Sequence, residues 1–179
     1  MVQTKIRSID GDGHVIEDVS QLIEYMEAPY RNWYGQGRGG IIALTPSDGA
    51  PRGLGGKFTS GPGNNTESWL TMMQEGALET AILFPTAGLY AGLLRDPDYA
   101  VAYCRAYNNW LAKELLKPSE GLLGVALLPV QDSKEAASEL RRAKQELGLA
   151  GAMLPADGGH LLGHRQYDPI YQAAAEVDM

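Results

Sequence analysis

Short apolar runs alternate with amphipathic segments along this 179-residue chain, a pattern of βα units rather than of hairpins. The first run, about Ile6 to Asp12, predicts a strand, and Val19, Leu22, Ile23 and Met26 recur at helical spacing behind it. The second strand is expected over Thr80 to Phe84. Its helix is opened by Asp96 as N-cap and Pro97 at the first helical position, and runs to about Lys117. Ala100, Cys104, Tyr107, Leu111 and Leu115 form the apolar stripe of that helix. The third strand, Leu122 to Leu128, precedes a helix from about Ser133 to Leu147. Ala136, Leu140, Ala143 and Leu147 make its buried side and Gly148 its stop. The fourth, Ala150 to Leu154, precedes a helix begun by Asp168-Pro169.

Phe84-Pro85, Leu128-Pro129 and Leu154-Pro155 each place a proline directly after the last apolar strand residue, where it ends the ladder and turns the chain outward. Strands apolar on both faces suit a parallel sheet covered by helices, wound by right-handed crossovers into an open sheet or a barrel. In either case a site belongs at the carboxyl ends of the strands. Between the first helix and the second strand, about Arg31 to Asn65 reads as an irregular insertion with ten glycines. Its length, above roughly 15 residues, is that of a lid or a disordered segment. Trp33, Tyr34, Arg38, Arg52, Lys57 and Phe58 lie in it, either to cover a site and bind an anion or as incidental residues of a flexible loop. A short helix, about Thr66 to Ala77, follows.

At such a carboxyl end stand Asp12-Gly13-His14, in the segment Ile6 to Ile16. A strand alternates its side chains, so Asp12 and His14 share one face while Gly11 and Gly13 occupy the other without bulk. A carboxylate and an imidazole so placed can grip a metal ion, and a polar strand end is the alternative reading of the same spacing. Asp10, on the same face but deeper, is a candidate second-layer support. A catalytic metal keeps at least three protein ligands. His160 and His164, in the glycine-rich connection after the fourth strand, are the remaining histidines, more often solvated than ligating in such a loop.

Composition narrows the partners. With 44% hydrophobic and 21% charged residues the chain has the make-up of one soluble domain or part of one. A net charge of -7, with Arg141-Arg142 as the one basic doublet, argues against a nucleic-acid partner. No apolar run approaches the ~20 residues of a membrane span, and Met1 to Arg7 lacks the apolar stretch of a signal peptide, so the expected compartment is the cytoplasm. The single cysteine, Cys104, falls on an apolar helix face and is expected in the core rather than in catalysis. Gly35-Gln36-Gly37-Arg38-Gly39-Gly40 satisfies G-x-G-x-x-G but has neither the preceding strand nor the following helix that a dinucleotide site needs. Gly56-Lys57 fails as a phosphate loop, since Pro51 and Phe58 replace the required residues, and no G-x-S-x-G elbow occurs.

Several stretches resemble one family: Ile9-Asp10-Gly11-Asp12-Gly13-His14-Val15-Ile16-Glu17, Leu83-Phe84-Pro85-Thr86, Tyr107-Asn108-Asn109-Trp110-Leu111, Gly124 to Asp132, and Tyr167-Asp168-Pro169-Ile170-Tyr171. They are similar to the amidohydrolase-related proteins of the 2-amino-3-carboxymuconate 6-semialdehyde decarboxylase type, within the metal-dependent amidohydrolase superfamily. The resemblance implies an α/β fold of the (β/α)8 TIM-barrel type. It implies that Asp12 and His14 supply two ligands to one divalent metal, zinc first and manganese second. The family's commoner first-strand motif is His-x-His. An acidic first position occurs in its decarboxylase-like branch and tilts the expectation toward carbon–carbon cleavage.

A (β/α)8 barrel needs about 250 residues, and four βα units are visible. Residues 1–179 are therefore expected to be the N-terminal part of one barrel domain, about its first half, with the Gly-rich insertion at about 31–65. The catalytic residues are unknown and expected in the other half. The resemblance implies a carboxy-lyase acting on a small aromatic or unsaturated carboxylic acid. A metal-dependent hydrolase of an amide or lactone is the alternative, and a noncatalytic fragment or pseudoenzyme is a reading of another class. Homodimers are common in the resembling family, so a homodimer is an implied partner.

Overall fold

The computed structural model describes residues 8–35, 63–155 and 159–179. Outside these lie Met1 to Arg7 with the start of the first expected strand, and most of the Gly-rich insertion. That insertion includes Arg38, Arg52, Lys57, Phe58 and all but the first residue of the G-x-G-x-x-G match.

Four parallel strands form the sheet, β1 (Ser8–Val15), β2 (Leu78–Pro85), β3 (Leu122–Leu127) and β4 (Gly151–Met153), in spatial order 1-2-3-4. The helices are α1 (Val19–Glu24), α2 (Tyr30–Gly35), α3 (Thr66–Glu75), α4 (Pro97–Trp110), α5 (Ser133–Gln145) and α6 (Asp168–Val177). A doubly wound sheet reverses its strand order at a switch point. Here every strand is added on the same side of the last, so right-handed crossovers carry the helices to one face. Of the two architectures open to the sequence, this is the barrel type.

The buried face explains two glycines. Leu83 is fully buried and pairs with Gly13 on one side and Gly124 on the other, so a large side chain lies between two bare backbones. A Cβ on Gly13 would come within 2.9 Å of the Trp69 ring from α3. A Cβ on Gly124 would come within 2.8 Å of Leu111 and 3.0 Å of Leu116. Ala81 and Pro85 share this buried face, whereas Ile82 and Phe84 on the other are only half-buried.

Local chemistry sets the helix ends. The Asp96 carboxylate accepts the Tyr99 N–H at 3.0 Å with Pro97 in the first turn, as the sequence predicts, and Asp132 accepts from Lys134 and Glu135 at the start of α5. Gly148 takes a left-handed φ of +67° after α5, where Leu149 N–H reaches back to the Ala143 carbonyl. The expected stripe of α4 is buried throughout, from Ala100 and Cys104 to Leu115.

Several boundaries differ from expectation: β1 runs on to Val15, β2 spans Leu78–Pro85 with Pro85 still in register, and α5 stops at Gln145. The first helix ends at Glu24, because Arg31 donates to the carbonyls of Ile23, Glu24 and Met26 and so closes its last turn. Tyr30–Gly35 is helical where the insertion was expected to begin. The long helix is regular only to Trp110. Leu111–Leu115 then forms a wider π turn, closed by Leu116 N–H on the Leu111 carbonyl, which seats Leu111 and Leu116 over Gly124.

The helix layer is locked to the sheet by one polar network. Asn108, fully buried in α4, donates to the Leu127 carbonyl at 3.0 Å and accepts the Leu127 N–H at 2.8 Å, so it mimics a neighbouring strand. It also donates to Glu139 of α5 at 2.7 Å. Arg142 meets that buried carboxylate through both Nε and Nη2, at 2.8 and 2.7 Å.

Candidate metal centre

The last four residues of β1 have split duties. Gly13 and Val15 are buried, while Asp12 and His14 face the open side of the sheet with side-chain exposures of 90% and 38%. The alternation expected from sequence holds here but is broken just upstream. Asp10 pairs with Ala81 and Gly13 with Leu83, three steps on β1 against two on β2, which is a β-bulge. Asp10 is thus out of step with the pair. Its carboxylate instead accepts the Asp12 backbone N–H at 3.0 Å, supporting that residue through the main chain.

His14 pairs with Phe84, and its Nδ1 lies 2.8 Å from the Pro85 carbonyl oxygen. A carbonyl can only accept, so Nδ1 carries a proton, and in the neutral imidazole Nε2 presents its lone pair. That Nε2 stands 3.5 Å from Asp12 Oδ1. Two donors each about 2.1 Å from a common ion are about 3.0 Å apart at a right angle and about 3.4 Å apart at the tetrahedral angle. The observed 3.5 Å is close to the tetrahedral value, so the spacing is compatible with two ligands of one ion. The clamped Nδ1–H is also the arrangement that orients a ligating histidine. On these grounds the pair fits a divalent metal.

The other candidates are elsewhere. His160 and His164 stack on one another with ring centroids 4.4 Å apart, and His164 Nδ1 accepts the Gln166 N–H at 3.2 Å, capping a short turn. Among the described residues no group of three or more His, Cys, Asp or Glu side chains is placed to hold a metal. Cys104 is buried and free, and burial, with Glu139 nearby, pushes its thiol well above the ordinary range. It belongs to the core.

One residue beside the pair escapes sequence reading. Glu17 is only 6% exposed, and its carboxylate accepts the N–H of Ala87 at 3.1 Å and of Gly88 at 2.9 Å, just after β2. Burial raises its pKa, and the backbone bonds from Gly88 and Ala87 oppose that rise. A signal was present: counted by twos from Gly13 and Val15, residue 17 falls on the buried side.

Known proteins resemble this chain in sequence and in fold. The amidohydrolase family model matches residues 9–179. Decarboxylase orsB of Emericella nidulans is 41% identical over 80 residues, covering 42% of this chain and 24% of that protein. Gamma-resorcylate decarboxylase of Rhodococcus jostii is 38% identical over 85 residues, 48% of this chain and 26% of that one. A 2-keto-4-carboxy-3-hexenedioate hydratase of Sphingobium is 31% identical over 119 residues, with shares of 62% and 35%. Among solved structures, 5-carboxyvanillate decarboxylase of Novosphingobium aromaticivorans, with bound manganese and a nitrobenzoic acid, superposes with a TM-score of 0.68 at 21% identity. The match covers 98% of this chain and 50% of that one, so the chain spans about half its length. The fold is that of a (β/α)8 barrel, of which these residues build four successive units. Among the described residues no helix is long and apolar enough to cross a membrane.

Proposed function

Because this chain belongs to the amidohydrolase family, we propose that the whole protein is a metal-dependent carboxy-lyase acting on a small aromatic carboxylic acid, with Asp12 and His14 as two of the metal's ligands. The observation that carries the ligand role is the 3.5 Å approach of Asp12 Oδ1 to a His14 Nε2 whose partner nitrogen is held by Pro85. The decarboxylase names of its relatives favour carbon–carbon cleavage, and the hydratase among them marks a carbon–oxygen lyase as the nearest competitor. A carboxylate and an imidazole suit zinc and manganese alike. Manganese is taken ahead of zinc here, because it is the ion in the 5-carboxyvanillate decarboxylase structure.

When bound, the metal would act as a Lewis acid, drawing electron density from an oxygen of the substrate. The residues of this chain prepare the rest. His14 offers a neutral lone pair and Asp12 a single negative charge, so the pair leaves a dication with surplus positive charge to hold an anionic acid. Phe84, half-buried beside His14 with ring centroids 6.2 Å apart, offers an apolar wall for an aromatic ring.

The test is to load the full-length protein with manganese(II) and assay hydroxybenzoic acids for carbon dioxide release, with lactone opening and hydration as parallel assays. Release that is lost on chelation and in His14→Ala is the expected result. Hydrolysis or hydration without decarboxylation would overturn the reaction class, and manganese binding unchanged in an Asp12→Ala, His14→Ala variant would overturn the ligand role.

A further inference from the structure

We infer that Glu17 is a positioning residue of this centre: its buried carboxylate holds the backbone N–H groups of Ala87 and Gly88, and thereby fixes the Pro85 carbonyl that orients His14. The inference rests on the ligand role proposed for His14. Four consecutive residues after Phe84 are gripped at both ends, once from β1 and once from Glu17 just beyond its end. At one end the His14 Nδ1–H meets the Pro85 carbonyl at 2.8 Å. At the other the two carboxylate oxygens of Glu17 take one N–H each, at 3.1 and 2.9 Å. Val15 lies between the two grips and is itself in register with Pro85.

The stretch between them is tight enough to transmit a displacement. A Cβ on Gly88 would lie 2.6 Å from Cβ of Pro85 and 3.0 Å from Leu127, so the turn is folded back onto the proline and cannot shift without moving it. A peptide carbonyl turned away from His14 would free Nδ1, and the imidazole would then distribute its proton between both nitrogens. A share of the molecules would present N–H instead of a lone pair toward Asp12. Glu17 thus acts on the ligand atom without touching it.

A turn cap with no bearing on His14 would produce the same hydrogen bonds, so the test must read the imidazole as well as stability. Glu17→Gln keeps the size of the side chain but turns one acceptor oxygen into a donor facing an N–H. In the metal-free full-length protein, nitrogen NMR shifts of His14 should report a protonated Nδ1 in the wild type and averaged tautomers in Glu17→Gln. Affinity for manganese(II), measured by calorimetry, should fall about 10- to 100-fold, the usual effect of losing a group that supports a ligand. Glu139→Gln, which perturbs a buried carboxylate between α4 and α5, controls for general destabilisation and should leave His14 unchanged. If Glu17→Gln melts as Glu139→Gln does but keeps wild-type imidazole shifts and manganese affinity within about twofold, the inference is overturned. Should Glu17→Gln not fold, Glu17→Asp, too short to reach both N–H groups, should move the shifts the same way, and unchanged shifts there overturn it equally. A wild type that keeps Nδ1 protonated yet binds no manganese defeats the ligand reading, while the imidazole comparison still decides the role of Glu17.

Discussion

Substituting Gly13 by alanine tests whether the close backing of β1 holds the two candidate ligands in place. The added Cβ would lie 2.9 Å from the Trp69 ring, 3.2 Å from Leu83 and 3.2 Å from the Ile82 carbonyl oxygen. Ordinary carbon contacts begin near 3.5 Å, so the ring must retreat by about 0.6 Å. It is not free to do so: Trp69 Nε1 donates to the Gly63 carbonyl at 3.0 Å, and the Ile16 N–H donates to the same oxygen at 3.3 Å. Overpacking of this kind costs about 1–3 kcal/mol, and the lower chain entropy of alanine returns about 0.4–1 kcal/mol. The midpoints of the two ranges leave a net loss of about 1.3 kcal/mol, or roughly 3–5 °C in Tm for a protein of this size. Because residue 13 lies between Asp12 and His14, the displacement passes to the 3.5 Å gap between their donor atoms, and manganese affinity should fall by about tenfold. Thermal melts and calorimetric titration of Gly13→Ala, Trp69→Phe and the double variant read both effects. The smaller ring should rescue the alanine, giving a coupling of at least about 0.5 kcal/mol. Wild-type stability in Gly13→Ala, or strict additivity in the cycle, would refute the argument.

Two further expectations concern the layer behind the site. Asn108→Ala strips partners from the Leu127 N–H, the Leu127 carbonyl and one oxygen of Glu139, and should cost about 2–4 kcal/mol in urea unfolding. A loss under about 1 kcal/mol would mean that water replaces the amide. Cys104 should resist a thiol reagent in the native protein and react at once in denaturant, since burial holds its thiol well above the ordinary range. Rapid native labelling would contradict the packing described for α4.

What the sequence made legible follows from interactions between near neighbours. The Asp96 cap, the stripe from Ala100 to Leu115 and the Gly148 stop each depend on residues within a turn or two, and all three stand as expected. The bulge at Asp10 to Gly13 was not legible, because it is a count of residues on β1 against residues on β2, fixed only when Asp10 meets Ala81 and Gly13 meets Leu83. The π turn at Leu111–Leu115 is hidden for a related reason: the leucines it carries pack on the bare backbone of Gly124, on a strand further along the chain. Glu139 reads as a solvated helix residue until Asn108 and Arg142 are seen around it.

The same long-range logic explains why the two halves of Asp12-x-His14 are unequal. The bulge lies upstream of residues 13–15, which keep regular register with residues 83–85, so His14 is delivered by an unbroken piece of ladder and locked again through Pro85. Asp12 stands at the edge of the irregularity, tied through its own N–H to Asp10 and with a side chain 90% exposed. The imidazole is therefore pre-organised, and the carboxylate still has rotamer freedom to lose when an ion binds. On the proposed ligand role, an ion held by this strand would be positioned by His14 and have half of its charge offset by Asp12. Altering the supports of His14 is thus expected to change the geometry of the centre, while altering Asp12 changes its charge.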